Sequence, residues 1–393
     1  MHFEHLDGDI LSIILHIVAH STSKTISSWK TSIPLLHVNQ RWWRLACPLV
    51  YKTALIETAD ADGCEPQNVG SNLPFVCAGQ FHRCIRNLAI ATSFEVDAVC
   101  FYNSLSTLLL QYGDRLYTTT SISQESDFWA ERGHDDAEID GAVARLQRAV
   151  SNAMPNVRHL FLRSWEPEGV LERVFGMLTD AYADQISTLD MGDMLSLPQP
   201  WASANSLQHL DIGLANYTNM EAMLCVSSAS LASLTLRNVP NDFLWKPCEF
   251  GCEYVPQTIE FSCLRKVNIS FSPHNKNKPE TLEPGYLLRF PKLEELNMAH
   301  ISASTRFVDI CVFPPSIRAA TLKLTLIGLE AMLKRKYGVP KVNKLVVHVY
   351  SSHNSELGDA AANHKKGLVN KFVKRYHGAK ETVLFFSGGH ELF

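Results

Sequence analysis

The chain has 393 residues, of which 46% are hydrophobic and 19% charged, and its formal net charge is −4. This is the composition of a folded chain rather than a disordered one, and the small negative charge excludes bulk electrostatic attraction to nucleic acid. The length admits two or three ordinary domains, or one elongated repeat domain with a small appendage.

The first residues, MHFEHLDGD, are acidic, so no signal peptide is expected. Leu6, Ile10, Ile13, Ile14, Ile17 and Val18 recur at steps of three and four, the period of a helix with one apolar face, with Asp7 or Asp9 as N-cap. The apolar run 10–19 is about half a bilayer span, so no membrane association is expected. A Ser/Thr-rich gap covers 20–32. Pro34 then starts a second helical stretch carrying Ile33, Leu35, Leu36, Val38, Trp42, Leu45 and Ala46, which Pro48 ends or bends. Trp43 falls at a helical angle away from Trp42, towards solvent, a partner or the next domain. A helical unit of about forty-five residues is too small to be comfortable alone.

The residues Leu6-Asp7-Gly8-Asp9-Ile10-Leu11, then Ile14, then Val38-Asn39-Gln40-Arg41-Trp42-Trp43-Arg44-Leu45-Ala46 and Pro48-Leu49-Val50-Tyr51 resemble an F-box. That is the adaptor-binding module of cullin–RING ubiquitin ligases. The family carries proline where this chain has Asp7, and cysteine where it has Asn39. The resemblance implies docking on a Skp-family adaptor through Leu6, Ile10, Leu11, Ile14, Leu36, Val38 and Trp42, with Trp42 also packing the helices together.

Beyond this unit the chain repeats an apolar-x-x-apolar-x-apolar pattern. Clean copies begin at Leu207, Leu231, Leu264 and Leu293, and degenerate ones at Ile85, Val157, Ile186, Ile317 and Val342. Positions four and six alternate with polar neighbours, so each copy reads as a short half-buried strand, and position one anchors the turn into it. Helical periods lie between copies at 94–114, 138–153, 169–182, 219–226 and 328–337. Strand-plus-helix units stack into a solenoid, because one unit alone cannot bury its apolar face. The pattern over 81–349 resembles the leucine-rich repeats that follow an F-box in many receptor subunits. The asparagine that follows the strand in well-formed repeats is mostly missing. An ordinary α/β domain is the alternative.

The expected fold class is therefore α/β: an N-terminal helical F-box, followed by an irregular leucine-rich-repeat solenoid with parallel strands on its concave face and helices on its convex face. The expected segments are an F-box-like module at 4–55, a linker or cap at 56–80, the solenoid at 81–350 and a C-terminal cap at 351–393. The cap comprises a basic amphipathic helix over 359–377 and a strand over 382–386.

By strand alternation, positions three, five and seven point to the concave face. Position three gives His159, Thr188, His209, Ser233, Lys266 and Glu295; position five gives Phe161, Asp190, Asp211, Thr235, Asn268 and Asn297; position seven adds Arg163 and Arg237. Read together they form a recognition surface for a protein target, with Phe161 as its aromatic anchor. The acidic stretch 125–140 reads as an exposed loop. The basic residues from Lys334 to Arg375 read as a solvated face or a docking patch.

The ten cysteines show no framework spacing, which suggests free thiols and a cytoplasmic or nuclear location. Cys248 and Cys252, or His82 with Cys77 and Cys84, lack a second ligand pair at zinc spacing, so no metal is expected. No phosphate-binding glycine loop, G-x-S-x-G or HExxH occurs. The reading is a non-catalytic, cofactor-free receptor subunit that presents a target for ubiquitin transfer. The rivals are a scaffold not assembled into a ligase, favoured by Asp7, and an α/β enzyme, which would need clustered titratable groups in a pocket.

Overall fold

A computed structural model of the chain describes residues 9, 13–15, 30, 32–58, 69–72, 81–92, 98–123, 135–163, 170–191, 205–213, 220–240, 243–247, 256–272, 282–301, 305, 307–325, 328–330, 333, 341–350, 367–368, 370–371 and 381–387. It is an α/β protein of mostly parallel strands, divided into two compact units, Met1–Met194 and Leu195–Phe393. That division falls inside the segment read as one solenoid.

The first unit opens with helical residues Asp9 and Ile13–Leu15, a 3-10 turn at Ile33–His37, and helix α1 at Gln40–Val50. Asp9 is itself helical rather than a cap. Asn39 is the N-cap of α1, its Oδ1 accepting from the Trp42 backbone N–H at 2.9 Å. Pro48 does not end the helix. It sits in the last turn, and α1 runs on to Val50.

Strand β1 (Thr53–Thr58) follows at once and crosses the boundary expected at 55/56. Its outer edge meets β2 (Val69–Ser71) antiparallel. Buried Asn72 extends that pairing: it accepts from Leu55 N–H at 2.8 Å and donates to the Thr53 carbonyl at 2.9 Å. On the other edge of β1, strands β3 (Asn87–Thr92), β4 (Thr118–Ser123), β5 (His159–Arg163) and β6 (Thr188–Asp190) add in chain order, β3 parallel to β1 and each later strand parallel to the one before. Helices α2 (Ala98–Tyr112), α3 (Asp136–Ala153) and α4 (Val170–Tyr182) fill the crossovers. Asp135 caps α3, accepting from Glu138 N–H at 2.7 Å, and Tyr182 ties α4 to α3 by accepting from Met154 N–H at 3.0 Å and donating to the Val150 carbonyl.

The second unit contains β7 (His209–Gly213), helix α5 (Met220–Ser227), β8 (Ser233–Val239), β9 (Trp245–Pro247), β10 (Gln257–Glu260), β11 (Lys266–Phe271), β12 (Leu282–Pro284), β13 (Tyr286–Arg289), β14 (Glu295–Ile301), β15 (Cys311–Val312), β16 (Ser316–Thr325), β17 (Lys341–Tyr350) and β18 (Glu381–Ser387). Its main sheet has the order β7-β8-β11-β14-β16-β17-β18, all parallel. The helical stretches expected at 219–226 and 328–337 meet α5 and the helical residues 328–330 and 333, but the units between them depart from the strand-plus-helix pattern. After α5, the crossovers carry β10, β13 and β15, which form a second parallel sheet, and β9 and β12 pair as a small antiparallel ribbon. Phe261, Phe290 and Phe313 stack beside the second sheet, with ring centroids 5.3 and 5.8 Å apart, so successive crossovers pack aromatic on aromatic.

One device recurs at the entry to the strands. The anchor two residues ahead is buried: Ile85, Leu116, Val157 and Ile186 in the first unit, Leu207, Leu231, Leu264 and Leu293 in the second. The residue after the anchor offers its carbonyl to two consecutive N–H groups of the next strand's entry. Arg86 accepts from Tyr117 and Thr118, Tyr117 from Arg158 and His159, Arg158 from Ser187 and Thr188, and Arg265 from Glu294 and Glu295. The same ladder includes a copy that the sequence pattern hid, Leu116 leading into β4.

The asparagine missing after the strands also has a structural counterpart. Asn238 of β8 (φ 55°) and His300 of β14 (φ 59°) are left-handed, each followed by a buried apolar residue, Val239 or Ile301. Both strands share one burial alternation, and the register beside each shifts by a bulge. At the β16–β17 crossover Gly328 is required, because a Cβ there would fall on the Ile301 carbonyl oxygen. Of the expected C-terminal helix, Gly367, Leu368, Asn370 and Lys371 are helical; the rest of 359–377 lies outside the described residues.

Candidate functional site

The candidate residues lie on the N-terminal helical module, in the first unit, and on strand faces in each unit by itself. The module comes first in the chain. Leu6, Ile10 and Leu11 lie outside the described residues. Ile14 is 38% exposed and Val38 53%, whereas Leu36 at 7% and Trp42 at 9% are buried. Leu36 and Trp42, both expected to contact the adaptor, are therefore interior residues rather than contact residues. Exposed large apolar side chains here also include Ile13 and Trp43.

In α1 the two tryptophans part as the helical angle requires. Buried Trp42, Ala46, Cys47 and Val50 share the inner face, and Trp43 is on the outer one. The inner face also meets the short 3-10 turn Phe81–Cys84. The thiol of Cys47 is pushed up to about 12, by burial first and then by the charge and hydrogen bond of neighbouring Cys84.

The remaining candidates lie on the polar faces of the strands. In the first unit, His159 pairs in register with Thr188, and Phe161 with Asp190. Phe161 is half-buried and Asp190 is buried, so this end of the row is more enclosed than strand alternation implies. Arg163 ends β5 beside Ile122 of β4.

In the second unit, register places Asp211, Thr235, Asn268 and Asn297 side by side on β7, β8, β11 and β14. Thr321 of β16 continues the row. The side chains form a hydrogen-bonded ladder: Asn297 Nδ2 donates to Asn268 Oδ1 at 2.6 Å, and Asn268 Nδ2 donates to Thr235 Oγ1 at 3.0 Å. Parallel in-register strands make this possible, because equivalent side chains stand one strand spacing apart. Asp211 pairs with Arg237, Oδ1 to Nε at 3.0 Å.

A second row holds His209, Ser233, Lys266 and Glu295. Glu295 pairs with Lys266 Nζ at 3.8 Å and also with Arg318. The position-seven side of the face is different. Arg237, Ser270, Ala299 and Lys323 line a shallow depression of about 170 Å³, together with Thr235, Asn268, Asn297 and Thr321. Ser270 and Ala299 are small, and the two cations stand at its ends. Of this row the sequence reading names only Arg237, although Ser270, Ala299 and Lys323 hold the same seventh position after Leu264, Leu293 and Ile317, a count the bulges do not alter.

Among the described residues no group of three or more His, Cys, Asp or Glu side chains could hold a metal ion, and no helix is long and apolar enough to cross a membrane. Cys77, Cys248 and Cys252 lie outside the described residues. No family model matches the chain, and no curated protein matches it.

Proposed function

We propose that this chain is a non-catalytic receptor subunit of a Skp–cullin–F-box ubiquitin ligase. In this reading the N-terminal helices are an F-box, and the strands that follow are irregular leucine-rich repeats. The observation that carries it is the partition of α1 and the turn before it. Trp42 and Leu36 are buried while Trp43 and Val38, with Ile13 and Ile14 upstream, expose large apolar area on a module too small to need it for its own core. Exposed apolar side chains of that size fit a helical adaptor.

Helix α1 leads into β1 through Tyr51 and Lys52, and the Lys52 carbonyl accepts from Arg86 and Asn87 N–H. The module is thereby joined to β1 without a linker, so an adaptor on the module and a target on the strands would be brought together by one chain. The gain is effective concentration, and bond making belongs to the associated conjugating enzyme.

The test is co-purification with the host's Skp-family adaptor, wild type beside an Ile14→Asp, Val38→Asp double variant. Both positions are exposed, so the variant keeps its fold, which Leu36→Asp would not. Binding by the wild type and its loss in the variant supports the reading; no binding by the wild type ends it. Asp7, where the family has proline, favours a second reading in which the chain is an interaction scaffold outside the ligase. Adaptor binding without recruitment of the cullin would single that out.

A further inference from the structure

We propose that the depression between Arg237 and Lys323 is a binding slot for a carboxylate-bearing side chain in an acidic segment of the partner protein. This deepens the reading of the strand face as the target-binding surface, and rests on it. Three observations carry the inference.

The first is shape. Ser270 on β11 and Ala299 on β14 are paired in register, and neither side chain fills the space between the longer Arg237 and Lys323. The resulting hollow of about 170 Å³ is of the size of one acidic side chain. Its walls include methyl and methylene groups of Ala299, Thr321 and the cation stems, which suit the aliphatic part of a glutamate.

The second is charge. Arg237 is matched by Asp211, but Lys323 makes no ion pair among the described residues. Its uncompensated charge adds to burial in holding His348, its register neighbour, below the ordinary histidine range. The Glu295 carboxylate is already shared by Lys266 and Arg318. The field over this part of the face is positive although the chain as a whole is negative.

The third is preorganisation. The ladder Thr235–Asn268–Asn297 fixes the floor of the slot before any ligand arrives. Each amide NH₂ spends one hydrogen in the ladder and retains a second as donor. A carboxylate would find a charge-assisted partner in Lys323 and oriented amide donors beside it.

The test uses the full chain and a fluorescein-labelled octapeptide of alternating glutamate and glycine, read by fluorescence anisotropy. Its glutamine and lysine counterparts serve as controls, and a phosphoserine version serves as a further arm. The glutamate peptide binds, the glutamine and lysine peptides do not, and added salt weakens the binding. Lys323→Gln lowers affinity by roughly three- to fivefold. Ala299→Leu, which fills the slot without changing charge, lowers it as well. Circular dichroism and the melting temperature confirm that both variants are folded.

Glutamate-peptide binding that is indifferent to both variants places the acidic site elsewhere, for instance on the basic C-terminal segment, and overturns the proposal. So does tight binding confined to the phosphoserine peptide. Adaptor co-purification is unaffected by Lys323→Gln in every case, so failure of the slot and failure of the receptor reading remain distinguishable.

Discussion

Trp42 and Trp43 are adjacent in sequence and opposite in environment: Trp42 is 9% exposed and Trp43 42%. Replacing Trp42 with Ala should destabilise the first unit by about 3 kcal/mol, since it opens a cavity in a small core. Trp43→Ala should leave the urea midpoint within experimental scatter and weaken adaptor binding. Equal loss of stability in both variants would show that the outer tryptophan also serves the fold.

Thr119 in β4 is fully buried at the inward position that Leu160 and Leu189 fill in β5 and β6. Its hydroxyl has no hydrogen-bond partner among the described residues. Thr119→Val keeps the shape and removes that unpaired group, so it should stabilise the chain by about 1 kcal/mol. Thermal unfolding checks this, and a lower melting temperature would mean that the hydroxyl is satisfied.

His300 occupies the left-handed region at φ 59°, and Asn238 does so at φ 55°. His300→Val places a β-branched residue there and should cost about 1–2 kcal/mol, whereas His300→Gly should be neutral or mildly stabilising. The same order is expected at Asn238, with a smaller gain from glycine because asparagine tolerates the conformation. Chemical denaturation of the four variants gives the comparison; valine and glycine behaving alike would remove the bulge as a conformational constraint.

Alkaline pH should weaken the fold through Cys47. Its thiol is pushed up to about 12 in the folded chain, whereas an unfolded cysteine ionises near about 8.5. Above the lower value the unfolded chain sheds a proton that the folded chain keeps. The stabilisation is therefore complete below it and is lost as pH rises towards the upper one. Buried Cys311, raised by burial and then by Asp309, acts in the same direction. Urea midpoints across this window should fall less steeply for Cys47→Ala than for wild type. Parallel curves would assign the alkaline loss to other groups.

The anchors at Leu207, Leu231, Leu264 and Leu293 could be read from sequence because each strand announces itself twice, by a leucine at the turn and by period-two alternation after it. Strand β4 could not, because Thr119 holds the inward position that an apolar residue usually marks, and Thr118–Thr120 shows no alternation. The second sheet was hidden for another reason. QTIE and YLLR are too short for period two to be told from period 3.6, so the sequence assigns no element to these crossovers.

The site divides in the same way. Alternation found Asp211, Thr235, Asn268 and Asn297, but not that they are joined in a ladder, which depends on in-register stacking. The F-box resemblance placed Leu36 and Trp42 among contact residues, because an apolar helical pattern does not say which of its residues the module itself covers. Lys323 stands at the seventh position after Ile317, but that copy is degenerate, and its alternation does not set one lysine apart from an ordinary solvated strand face.

The main sheet of the second unit adds its strands in strict chain order, each beside the one made before it. During synthesis, every strand of this main sheet from β8 onward would leave the ribosome with its hydrogen-bonding edge already in place, and would wait for no later residue in order to pair within the sheet. Such a chain grows at a single template edge. A premature stop after β14, β16 or β17 would therefore leave a shorter sheet with an open edge rather than a scrambled core, and that edge is where misassembly between nascent copies would begin.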